Sequence, residues 1–116
     1  MNTLFILNDP PYGTERSYNA LRLARSLLDQ KSSDVRVFLM GDAAACAHGG
    51  QKVPQRYYNI GDMLGAVLRR KGEVSVCGTC MDARGIGDAD LVPGAARGTM
   101  DILTAWTQWA EKVLVF

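Results

Sequence analysis

Thr3-Leu4-Phe5-Ile6-Leu7, closed by Asn8-Asp9-Pro10-Pro11-Tyr12-Gly13, is the passage on which the reading of this chain turns. A strand with one wet face alternates apolar and polar residues. A short apolar run without alternation is the pattern of a strand covered on both faces, as in parallel sheets. The two prolines that follow cannot join a sheet interior, so the run ends in a loop.

Working outward, Thr14 offers an N-cap with Glu15 in the first turn, where its charge suits the helix dipole. Ala20, Leu21, Ala24, Leu27 and Leu28 recur at three and four residues and predict an amphipathic helix to about Gln30. After the turn Lys31-Ser32-Ser33-Asp34, Val35 to Met40 reads as a second strand. Gly41-Asp42 breaks it and leads into a short Ala-rich helix over 43–47. The segment from Gly49 to Tyr58 has no period. Asn59 then caps a helix whose stripe is Ile60, Met63, Leu64, Val67 and Leu68, closed by Gly72. Val74-Ser75-Val76 is a third strand running into Cys77. A last helix is expected from about Thr99 to Ala110, burying Ile102, Leu103, Trp106 and Ala110, with Val113-Leu114-Val115-Phe116 as the closing strand. The stretch from Leu91 to Arg97 is a candidate for a further short strand, against which Pro93-Gly94 counts.

Strands alternating with helices predict right-handed crossovers and a mainly parallel sheet of four to five strands in a three-layer α/β/α arrangement. With 116 residues and no linker or internal repeat, 1–116 is expected to form a single domain. The charge is balanced, 13 basic against 12 acidic residues, with no basic block or basic-aromatic stripe, so nucleic acid is not an expected partner. No apolar run approaches the ~18 residues that span a bilayer, so no membrane is expected either. The N-terminus lacks a basic segment and a cleavage site; it reads as a strand, and the expected location is cytoplasmic.

Chemistry concentrates in Cys77-Gly78-Thr79-Cys80-Met81-Asp82-Ala83-Arg84-Gly85. Three cysteines do not suggest a disulfide framework; reduced thiols with a chemical task fit better. Loops leaving the carboxyl ends of parallel strands gather on one edge, and three are distinctive: Asn8 to Thr14, Gly41-Asp42, and Cys77 to Gly85. Cys77 stands at a strand end, Gly78 permits a tight turn, and Thr79 is placed to cap a helix begun by Cys80. The helix N-terminus and the charge of Arg84 would both favour a Cys77 thiolate. Cys80, at redox-dithiol spacing, is either a resolving thiol or a small packing residue. Asp9, Tyr12 and Gly13 are candidates for the pocket wall or for a merely rigid turn, and Asp42 for a cap or a pocket carboxylate. Asp82 is placed in the first helical turn, facing the dipole. A zinc set of Cys46, His48, Cys77 and Cys80 is a lesser alternative because Cys46-x-His48 is tight for a ligand pair; no metal is the expectation. His48 is read as a solvated loop residue, and Trp106, Tyr57 and Tyr58 as core or subunit-interface residues. There is no Gly-x-Gly-x-x-Gly after the first strand and no Walker loop, and no cofactor is expected.

Several of these motifs occur together and in order: Asp9 to Gly13, Asn19-Ala20-Leu21-Arg22-Leu23-Ala24, Val37 to Asp42, Gly50-Gln51-Lys52, Tyr58-Asn59-Ile60, Cys77 to Gly85, and Lys112 to Phe116. In this the chain resembles the DsrE/DsrF-like family nearly end to end, and within it the YchN-type branch. The resemblance implies a flavodoxin-like domain that forms homotrimers or homohexamers. In the family's sulfur-relay members a strand-end cysteine carries a persulfide between donor and acceptor proteins. That cysteine stands eight residues before the glycine of an Arg-Gly pair, a spacing kept by Cys77 and Gly85. The implied function is thus a sulfur carrier, possessing sulfurtransferase-like chemistry if it is an enzyme. The alternatives are a Cys77/Cys80 dithiol redox protein or sensor, and a non-catalytic oligomeric binding module. Two departures stand out: the relay members more often have Arg-Arg-Gly where this chain has Ala83-Arg84-Gly85, and they usually lack the second cysteine.

Overall fold

The computed structural model describes residues 1–116. Five strands, β1 (Asn2–Leu7), β2 (Asp34–Leu39), β3 (Glu73–Cys77), β4 (Ala96–Gly98) and β5 (Lys112–Val115), form one sheet in the order β4-β3-β2-β1-β5. Every pairing is parallel. The apolar run of β1 is central because it must be: Leu4, Phe5 and Leu7 are fully buried, which only a strand covered on both faces allows.

Four helices cover the sheet: α1 (Arg16–Leu28), α2 (Ile60–Arg69), α3 (Gly78–Ala83) and α4 (Met100–Trp109). The chain steps from β1 through β2 and β3 to β4 in one direction, then returns across the sheet to β5. Right-handed crossovers therefore put the connections between β1 and β4 on one face and α4 on the other. Packing agrees. Phe5, Leu7, Val37, Leu39, Val74 and Val76 join residues of α1 and α2 and Met81 of α3 in a large core. Leu4 and Phe38 meet Leu103 of α4 in a small second core, edged by Ile6, Met40, Cys77, Ile102 and Trp106. Arg36 fills part of this thinner face, its guanidinium 4.0 Å from the ring centre of Trp109 and its Nε donating to Glu73 at 2.6 Å.

The expected elements are present, with shifts that have local causes. Helix α1 starts after Glu15 rather than Thr14, because the Thr14 hydroxyl donates to the Asp9 carboxylate at 2.8 Å instead of capping. It ends at Leu28, short of Gln30. The Ala-rich segment is a 3₁₀ helix over Gly41–Ala47. Asn59 caps α2 as expected, accepting from the Asp62 N–H at 3.0 Å. The weak strand lies past Pro93-Gly94, at Ala96–Gly98, and Thr99 caps α4. No helix is long and apolar enough to cross a membrane.

Candidate functional site

Cys77 is the last residue of β3 and the N-cap of α3; the helix begins at Gly78, two residues before the expected start. The cap is made by the thiol itself, not by Thr79: Cys77 Sγ accepts from the Cys80 N–H at 3.4 Å and touches Thr79 Oγ1 at 3.4 Å. Asp82 consequently lies beyond the first turn, and it accepts from Arg97 Nη2 at 2.9 Å.

The position of Cys77 in the topology matters more than its cap. The chain leaves β3 toward α3, on the face of the large core, and leaves β4 toward α4, on the opposite face. Neighbouring strands whose exits diverge leave a crevice at their carboxyl ends, the usual ligand position in an open α/β sheet. In register, Cys77 stands beside Gly98. Between them opens a crevice of about 320 Å³ lined by Cys77, Gly78, Thr79, Asp82, Arg97, Gly98, Thr99 and Met100. Arg97 braces its wall, with Nη1 donating to the Gly78 carbonyl at 3.0 Å and Nε to Asp88 at 2.8 Å. A larger hollow of about 750 Å³ lies between α2 and the segments 48–51 and 92–94, but it holds no cysteine.

The two thiols of the turn are driven apart in acidity. Partial burial works against the Cys77 thiolate, yet hydrogen bonds from the Cys80 side chain, from Thr79 and from the backbone outweigh it, and the thiol falls below its ordinary value. Cys80 is raised, first by burial and then by its bond to Cys77, although the Gly41 N–H donates to its sulfur at 3.2 Å. Burial pushes the Cys46 thiol up to about 12; its Sγ lies 3.7 Å from the Asp9 carbonyl. Of the three thiols, only that of Cys77 is lowered.

Several residues read from the sequence are brought elsewhere. Arg84 turns away from Cys77: it donates to Asp42 at 2.7 Å and to the Cys80 carbonyl at 3.1 Å, and its charge bears on the Cys80 sulfur. Asp42 is thus the partner of Arg84 and neither a cap nor a crevice residue. Gly85, at φ +66°, ends α3: the Ile86 N–H reaches Met81 O and the Gly85 N–H reaches Asp82 O, a stop that requires the left-handed conformation. Asp9, Tyr12 and Gly13 lie outside the crevice. Tyr12 donates to Gln51 and accepts from the Ile60 N–H, tying its loop to the start of α2. The zinc alternative is not assembled, since Cys46 is buried with Asp9 and His48 Nδ1 sits 2.7 Å from the Gly49 carbonyl. Gly78 and Thr79 do line the crevice with Cys77. Arg97 is the residue the sequence did not flag; its role arises from the pairing of β4 with β3.

The whole chain, residues 1–116, matches the model of the DsrE/DsrF-like family. It is 43% identical over 114 residues to protein YchN of Escherichia coli K12, covering 97% of each chain. It is 34% identical to protein MJ0989 of Methanocaldococcus jannaschii over the full length of both. The crystal structure of the E. coli ychN protein superposes with a TM-score of 0.92 at 41% identity, covering 99% of this chain and 98% of that one. Sequence and fold lead to one assignment: the chain belongs to the DsrE/DsrF-like family.

Proposed function

We propose that the protein is a sulfur carrier that holds sulfane sulfur as a persulfide on Cys77. The observation that carries this reading is the Cys77 thiol at the diverging exits of β3 and β4, lowered in pKa by its donors and open to a crevice of about 320 Å³. In the proposed step the Cys77 thiolate attacks the outer sulfur of a donor persulfide, R–S–SH. The donor S–S bond breaks, R–S⁻ departs and takes up the proton, and Cys77–S–S⁻ remains. An acceptor thiolate then attacks the outer sulfur and releases Cys77 as thiolate, so sulfur moves with no net oxidation or reduction. The capping N–H of Cys80 and the Thr79 hydroxyl are placed to stabilise the anionic sulfur at the start and end of the cycle. Family membership supports a sulfur-relay role without specifying donor or acceptor.

The test is a transfer assay. Protein loaded from polysulfide carrying ³⁵S and freed of excess reagent should pass label to a small thiol, and Cys77→Ser should pass none. A Cys77–Cys80 disulfide as the main product of loading would instead favour the dithiol redox reading.

The carrier is also proposed to self-associate. Val113 and Val115 of β5 are 40% and 65% exposed and, in register with Leu4 and Ile6, lie on the face that α4 covers incompletely. Sedimentation should show an assembly larger than a monomer, and Val115→Asp should shift it toward smaller species. A wild-type monomer at micromolar concentration would contradict this.

A further inference from the structure

On the face of the large core, sharing no lining residue with the crevice at Cys77, α1 and α2 build another concave site. A cavity of about 380 Å³ opens between them, and Arg22, Arg25, Arg69, Tyr57, Tyr58 and Asp62 are among its lining residues. Its charge is unbalanced, three guanidinium groups against one carboxylate. None of the three arginines takes part in an ion pair, whereas Arg36, Arg70, Arg84 and Arg97 each do. Arg22 is held by the Asn19 side chain at 3.2 Å and over the Tyr18 ring at 5.4 Å, while Arg25 and Arg69 make no side-chain hydrogen bond. The aromatic part is ordered: Tyr57 and Tyr58 stack with ring centres 4.5 Å apart, and Tyr58 packs on Tyr18 at 4.3 Å. Tyr57 nevertheless remains 50% exposed, so of the two places expected for it, core or subunit interface, it does not take the core.

Cations that line one cavity without carboxylate partners favour an anion, and guanidinium forks suit the oxygens of a phosphate. An exposed ring on a rigid stack offers a planar group a place to lie. The single carboxylate, Asp62, is left to accept from a hydroxyl, as acidic side chains do from ribose. The volume lies within the range of small-molecule sites. We propose that this cavity binds a small phosphate-bearing ligand with a planar ring, the chemical class of the ribonucleoside monophosphates. No linear motif announces it, because its arginines come from two helices that only the fold brings together.

The test is titration of the intact protein with AMP, inorganic phosphate and adenosine, followed by calorimetry and by backbone amide NMR shifts. The expected result is saturable AMP binding, tighter than phosphate or adenosine alone, with shifts around Tyr58 and Arg69. The double variant Arg25→Ala/Arg69→Ala should weaken it at least about tenfold. Both residues are exposed, so the variant should fold, which circular dichroism checks. Absence of AMP binding at millimolar concentration, or binding unaffected in the double variant, would overturn the site. Equal affinity for phosphate and AMP would overturn the role given to the tyrosines.

Discussion

Cys77 and Cys80 share one turn of helix, yet the neighbours of each sulfur differ. Cys77 receives the Cys80 N–H and faces the crevice; Cys80 receives the Gly41 N–H and the field of Arg84. Because the folded Cys77 thiol is lowered, its thiolate persists to more acidic pH than that of a free thiol, and alkylation by iodoacetamide should be half-maximal below the ordinary value of about 8.5. Replacing Cys80 with Ala removes the strongest favourable side-chain bond and leaves the backbone N–H, so the midpoint should move upward. Cys80→Ser, which retains a donor, should move it less. A midpoint unchanged in Cys80→Ala would show that Cys80 does not tune its neighbour. At this scale the sequence carried the strand-to-helix junction at Cys77 and the tight turn at Gly78, whereas the capping role read for Thr79 belongs to the Cys77 thiol. Arg84 was misread because spacing along a helix says nothing of a competing carboxylate from another loop, here Asp42. Arg97 had no linear signal at all.

Among the elements, the turn after β3 depends on the closeness of β4. A Cβ on Gly98 would come within 2.1 Å of Ser75 Oγ and 3.1 Å of Phe38, so no side chain fits at position 98, beside Cys77. Gly98→Ala should therefore destabilise the protein by about 1–3 kcal/mol, through overpacking, with urea unfolding as the measure. It should also slow Cys77 alkylation or sulfuration more than a remote change of equal cost, because it displaces the crevice wall. Helix α2 was the most legible element, since its cap and stripe reinforce each other. Helix α3 was less so: a cysteine acting as N-cap is not a pattern that propensity anticipates, and the start was read two residues late. Gly85 drew notice for its place in a family spacing, while its structural reason is the left-handed stop of α3.

For the whole molecule, the parallel three-layer fold followed from one unalternating strand and the succession of helices. The strand order did not. Nothing in the pattern of apolar residues says that β4 leaves toward the opposite face from β3, and this divergence makes the crevice at Cys77. The same reversal leaves α4 alone on its face, with the valines of β5 exposed. The account rests on Cys77 as the carrier atom, and intact-mass spectrometry after incubation with a polysulfide tests that directly. Wild type and Cys80→Ala should each gain about 32 Da per sulfur, reversed by reductant, while Cys77→Ser should gain nothing. The full mass gain in Cys77→Ser would contradict it.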